Sequence, residues 1–143
     1  DDNTTLRDTY GMLYNWYAVD NSSSRYICPE GWHVPTDSEF TVLRDYLGSG
    51  STAGGKMKEA GTVHWQSNHT DTSNSSGFTA LPAGIRNWST GEFSNLRSYN
   101  YLWVSSVSGT TTANFWFLNY SNLSFGRSSA LKKFGFSVRC LED

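Results

Sequence analysis

The sequence predicts an α+β domain. Three observations carry that expectation: a capped amphipathic helix early in the chain, a second short helix-forming stretch after it, and strand-like aromatic runs in the C-terminal half. The 143 residues suit one domain, 1–143, with no linker and no internal repeat. The expected architecture is two helices beside a twisted antiparallel sheet drawn mostly from the second half.

Residues 1–9 are polar and read as loose. Tyr10–Val19, Y-G-M-L-Y-N-W-Y-A-V, reads as a strand with turns, because aromatic rings favour pleated surfaces. Asp20–Ser24 reads as a loop. The central stretch is Cys28–Leu47, C-P-E-G-W-H-V-P-T-D-S-E-F-T-V-L-R-D-Y-L. Thr36 and Glu39 stand at capping-box spacing. Phe40, Leu43 and Leu47 then recur at helical spacing, flanked by Val42 and Tyr46, and Gly48 supplies a stop. The helix is expected over about 36–47, and a shorter one within 55–60 before Gly61. Val63–Ser76 reads as a long polar loop holding His64, Trp65 and His69. Phe78–Leu81 reads as a short strand entering a turn. Strands are expected over Leu102–Val107, Ala113–Tyr120 and Phe134–Cys140, with room for another in Leu123–Leu131.

Charge is nearly balanced, at −2, so the whole chain advertises no nucleic-acid or membrane preference. Its distribution is uneven. Phe93–Leu141 holds no acid and five cations, so it carries +5 against −7 elsewhere. No apolar run reaches the roughly 18 residues of a membrane span, and the start at Asp1-Asp2-Asn3 reads as a mature or trimmed boundary. The two cysteines, Cys28 and Cys140, are far apart. A bridge between them would close a loop of about 112 residues and constrain the unfolded chain by about 4–5 kcal/mol. Two buried free thiols are the alternative. Neither cysteine has metal or redox spacing, which favours the bridge and an extracytoplasmic location.

Catalytic and metal motifs are sparse. H-E-x-x-H, C-x-x-C and D-x-D-x-D-G are absent. His64, His69 and Asp71 share a loop and read as solvated rather than zinc-binding. His33 reads as a structural residue beside the helix cap. Ser105-Ser106 lacks a nucleophile elbow, and no histidine follows His69. Among candidate carboxylates, Glu39 is committed to the capping box and Asp37 to the helix's first turn. The expectation is therefore no enzyme, no cofactor and no metal site, with a structural calcium outside the acid-free 94–141 region left open.

The 97–133 segment stands out instead. In Asn114–Tyr120, Trp116, Leu118 and Tyr120 alternate with Phe115, Phe117 and Asn119, so both faces of a strand carry rings. Either both faces are covered, or an aromatic patch is exposed for recognition.

The ordered motifs resemble the Fibrobacter succinogenes major paralogous domain. They are Y-G-M-L-Y-N-W-Y-A-V at 10–19, C-P-E-G-W-H-V-P-T-D-S-E-F at 28–40, A-G-G-K-M-K-E-A-G-T-V-H-W at 53–65, G-F-T-A-L-P-A-G-I-R at 77–86, L-W-V-S-S at 102–106 and G-F-S-V-R-C at 135–140. The resemblance implies a secreted or surface-anchored bacterial domain with a C-type-lectin-like fold, in which chain ends pair and the C-terminal half displays an irregular binding face. It also implies kinship with formylglycine-generating enzymes and with the variable proteins of diversity-generating retroelements, whose randomised codons yield residues such as those of 97–132. Cys28 and Cys140 lie in framework motifs, and the E-P-N and W-N-D calcium motifs of sugar-binding lectins are absent.

The expected function is extracellular ligand binding by a variable-looking face. Its residues are Arg97, Tyr99, Tyr101, Val104, Asn114, Phe115, Phe117, Asn119, Leu123, Arg127, Leu131 and Lys132, over a core of Trp103, Trp116, Leu118 and Tyr120. The expected partner is a protein or carbohydrate ligand at a cell surface, with no nucleic acid and no membrane insertion by this domain. A carbohydrate-binding module is the main alternative, and a formylglycine-generating-type oxidase the lesser one.

Overall fold

The computed structural model describes residues 3–20, 27–66 and 72–143. In chain order they form α1 (Thr4–Tyr10), a 3-10 turn (Trp16–Ala18), β1 (Trp32–His33), α2 (Asp37–Tyr46), α3 (Ala53–Met57), β2 (Ile85–Arg86), β3 (Phe93–Ser94), β4 (Tyr99–Val107), β5 (Thr112–Asn119), β6 (Phe125–Leu131) and β7 (Leu141–Glu142). All named strand pairs are antiparallel, so the class is α+β. The main sheet runs β4-β5-β6, and β1-β7 and β2-β3 form two small ribbons.

The capping box sets where α2 starts. Thr36 Oγ1 accepts from the Glu39 N–H at 3.3 Å, and the Glu39 carboxylate accepts from the Thr36 N–H at 2.7 Å. Burial raises the Glu39 carboxyl, but the two Thr36 bonds and His33 outweigh it and hold the group below its ordinary value. Phe40 and Leu47 are buried, whereas Val42 and Tyr46 face outward.

The middle of the main sheet is covered on both faces, so the rings there belong to the core. On one face, Leu102, Val104, Trp116, Leu118 and Phe125 pack with Phe40, Leu47, Met57 and Trp65. On the other, Trp103, Ala113 and Phe115 pack with Trp16, Val19, Val34 and Phe136. The indole N–H of Trp116 donates to Asp37 at 2.9 Å, so burying the ring strands no donor.

The ends of this framework are clasped. Cys28 and Cys140 form a disulfide with Cα atoms 5.8 Å apart, and β1 pairs β7 through Trp32–Glu142 and His33–Leu141. His33 bridges Asp143 at 2.6 Å and Glu39 at 3.1 Å. The Asp143 bond, opposed by burial and aided by Glu39, raises the imidazole above its ordinary value.

Four expectations need correction. Residues 4–10 form α1 rather than a loose end, with Asn3 accepting from the Leu6 N–H at 3.1 Å. Tyr10–Val19 is no strand; it holds a 3-10 turn and one bridge, Tyr14 to Phe136. Phe78–Leu81 contributes a single bridge, Ala80 to Lys58. Phe134–Cys140 builds no ladder because its backbone is divided among partners: Gly135 pairs Arg86, Phe136 pairs Tyr14 and Ser137 pairs Leu102. The short helix lies at Ala53–Met57, slightly earlier than expected. His69, Asp71 and most of the Asp20–Ser24 loop lie outside the described residues.

Candidate functional site

The second face of the main sheet changes character along its strands. Trp103 lies opposite Phe115, Tyr101 opposite Phe117, and Tyr99 opposite Asn119. Trp103 and Phe115 are buried; Tyr101, Phe117, Tyr99 and Asn119 are half-buried. One face therefore grades from core to surface.

The rings at the open end are mutually fixed. Tyr99 stacks on Tyr101 with centroids 5.2 Å apart and planes 6° apart, and Tyr101 stacks on Phe136 at 5.1 Å. Phe117 lies against the backbone of β6: a Cβ on Gly126 would stand 2.6 Å from its Cζ. The Tyr99 hydroxyl accepts from the Asn119 amide at 3.3 Å, and the Tyr101 hydroxyl accepts from Asn95 at 3.1 Å. Burial raises the Tyr101 phenol above its ordinary value, and the Asn95 bond opposes it. Rings held this way lose little further freedom when a ligand arrives.

Two connections hold the backbone around these rings. In the loop before β4, Asn95 and Arg97 adopt positive φ of 61° and 68°. The Arg97 N–H donates to Pro82 and its carbonyl accepts from Gln66, both at 2.9 Å, so the backbone is pinned while the side chain is exposed. In the β5–β6 turn, the Lys58 ammonium donates to the Asn119 and Asn122 carbonyls at 2.5 Å each. Lys58 is fully buried, 5.1 Å from the Trp65 ring, and burial pushes its pKa down to about 8.

The twelve expected face residues divide. Tyr99, Tyr101, Phe117 and Asn119 come together, and the loop carrying Arg97 adjoins them through Asn95. Leu123 is half-buried in the β5–β6 turn. Arg127 lies opposite Trp116 on the other face of the sheet and pairs with Asp37 at 2.6 Å. Leu131 is exposed at the far end of β6, opposite Thr112.

Val104, Asn114, Phe115 and Lys132 are buried, and their expected exposure is corrected. Val104 and Phe115 were misplaced because their cover comes from remote segments, α2 and Phe136. Asn114 sits within β5 opposite Ser129. Lys132 lays its stem inward with Nζ 4.4 Å from the Trp16 ring, a cation–π contact that hides a residue normally exposed. Of the expected core, Trp103, Trp116 and Leu118 are fully buried, and Tyr120 packs at the margin of the cluster that holds Trp116 and Leu118.

Sequence reasoning missed Asn95 and Phe136. Asn95 stands in a short S-N-L-R turn, and Asn tolerates left-handed backbone, so a local signal existed. Phe136 carried none, since it joins the stack only through tertiary pairing.

No group of three or more His, Cys, Asp or Glu is placed to hold a metal ion among the described residues. His64 bonds Glu59 at 2.8 Å. No helix among the described residues is long and apolar enough to cross a membrane. Both cysteines are consumed by the disulfide.

No curated protein and no solved structure matches the chain. The family model of the Fibrobacter succinogenes major domain matches residues 1–142. With that span matched, and with the motifs of the resemblance running from Tyr10 to Cys140, the chain belongs to the Fibrobacter succinogenes major domain family.

Proposed function

We propose that this domain is an extracellular ligand-binding module of C-type-lectin-like fold, and the variable protein of a diversity-generating retroelement. The observation that carries the reading is the open end of the ring face. Tyr99, Tyr101 and Phe117 stand half-buried beside Asn95, Asn119 and Arg97, on backbone pinned by Lys58 and by the bonds of Arg97. Rigid rings among small amides are the chemistry of adaptable protein recognition. The paired segments near the two cysteines and the helix preceding a C-terminal sheet support the C-type-lectin-like fold. The disulfide supports, without requiring, an extracytoplasmic home.

The alternatives have less to stand on. Tyr99 and Tyr101 stack on one another, so they do not form the flat continuous platform that polysaccharide binding favours. A thiol-dependent oxidase would have no free cysteine to use.

Codon-by-codon sequencing of this locus across natural isolates tests the reading. The expected result is change concentrated at the codons for Arg97, Tyr99, Tyr101, Phe117 and Asn119, where the retroelement's template copy bears adenine, with Trp103, Val104, Trp116 and Leu118 fixed. Variation spread evenly over the chain would remove the retroelement part and leave a domain of fixed specificity.

A further inference from the structure

A cleft of about 440 Å³ lies between α1 and the β2–β3 ribbon, within the size range of small-molecule sites. Leu6, Met12 and Leu13 line one side, and Phe93 and Leu96 the other. Leu6, Met12, Phe93 and Leu96 keep between 39% and 56% of their surface exposed, a concentration of apolar area that points to a binding surface. Two cations, Arg7 and Arg86, complete the charged lining, and no Asp or Glu among the described residues lines the cleft.

Arg86 is held from behind. Its N–H donates to Gly135 and its carbonyl accepts from the Gly135 N–H, each at 3.0 Å. A Cβ on Gly135 would stand 2.9 Å from Arg86 Cβ and 3.4 Å from Leu13 Cβ, so bare backbone at 135 lets the two walls approach. The guanidinium carbon lies 6.0 Å from the Phe93 ring centroid. Among the described residues, no carboxylate pairs with Arg86, while Arg7 pairs only with its exposed neighbour Asp8 at 3.2 Å. An exposed guanidinium on a pinned backbone, beside an aromatic ring and with no carboxylate paired to it among the described residues, matches a carboxylate borne on an apolar body.

The cleft is separate from the ring face. Stretches 10–19, 77–86 and 135–140, which carry the family resemblance, line or back it, and no residue of 97–133 lines it. We propose that this cleft is a second binding site, for a small organic acid that joins one carboxylate to an aromatic or alkyl body. No residue of 97–133 lines it, so it stands whether or not that segment is diversified.

Titration calorimetry of the whole domain with 4-phenylbutyrate tests this, with 4-phenylbutanamide as the neutral counterpart and amide NMR shifts to locate binding. The acid is expected to bind about tenfold more tightly than the amide, and Arg86→Met to lose about tenfold, the scale of one charge-assisted hydrogen bond. Shifts should concentrate at Leu6, Met12, Leu13 and Leu96. Arg7→Met repeats the test on an exposed helix residue should Arg86→Met fail to fold. Equal binding of acid and amide, full affinity in both variants, shifts confined to Tyr99–Tyr101, or no binding at millimolar acid would each overturn the proposal.

Discussion

The two faces of the main sheet start from the same alternation of rings and end differently. The face under α2 and α3 is dry along its middle: Leu102, Val104, Trp116, Leu118 and Phe125 are all buried. The opposite face is dry only where Trp16, Val34 and Phe136 cover it, around Trp103 and Phe115. Beyond that cover, Tyr101, Phe117 and Tyr99 emerge into solvent. An aromatic strand thus becomes core or surface according to what lies over it, and the hydroxyls of the tyrosines occupy the transition.

The sharpest way to break the comparison is to truncate neighbouring rings on opposite faces. Trp116→Ala is expected to cost about 3–5 kcal/mol, and Phe117→Ala only about 1–2 kcal/mol, in urea unfolding. Equal losses would mean that the two faces are not energetically distinct.

Next in size is the clasp, which ties down the ring side. Replacing both Cys28 and Cys140 with Ala is expected to cost about 2–5 kcal/mol. Hydrogen exchange should quicken around Phe136 and Trp103 before it does around Trp116 and Leu118. Uniform loss of protection would show that the clasp supports both faces alike.

Lys58 probes the helix side. Its folded pKa, about 8, lies below its ordinary 10.5, so between those values the unfolded chain holds more protons and stability rises with pH. From pH 7 to pH 9.5 the wild type should gain on the order of 2 kcal/mol relative to Lys58→Met. A flat difference between the two proteins would mean that the ammonium is not desolvated.

The smallest effect is expected at the clasp's histidine. The His33 pKa is raised by Asp143 and Glu39, so its contribution is complete below the ordinary imidazole value and is lost as pH rises through the folded value. Relative to His33→Gln, the wild type should lose less than about 1 kcal/mol between pH 6 and pH 8, because the pair is partly solvated. A gain over that range would put the sign, and the pairing, in error.

How legible each part was depended on how local its causes are. The capping box could be read because Thr36 and Glu39 satisfy each other, and β4 and β5 because their ring patterns persist over several residues. Among these residues, α1 buries none, so T-T-L-R-D-T-Y offered no apolar period to detect. The 134–140 stretch read as a strand by composition, yet its bonds go to separate partners that only the tertiary fold brings near. The site was legible to the same degree. Phe117 and Asn119 followed from the alternation along β5, and Tyr99 and Tyr101 from the mixed aromatic and polar composition of 97–133, while Val104, Phe115 and Lys132 are hidden by segments far away in sequence. The cleft beside α1 had no sequence signal, because its walls come from three separate stretches, 3–13, 83–86 and 93–96.

The Cys28–Cys140 bond also decides how the domain responds to pulling. Tension applied to its two ends reaches Cys28 from one side and Cys140 from the other, and then passes through a covalent link instead of through residues 29–139. Only segments outside the link can be drawn out while it holds. The strands that carry the ring face lie inside the link, whereas Tyr14, Trp16 and Val19, which back that face, lie outside it, so pulling strips the cover of the rings before it can unravel their strands.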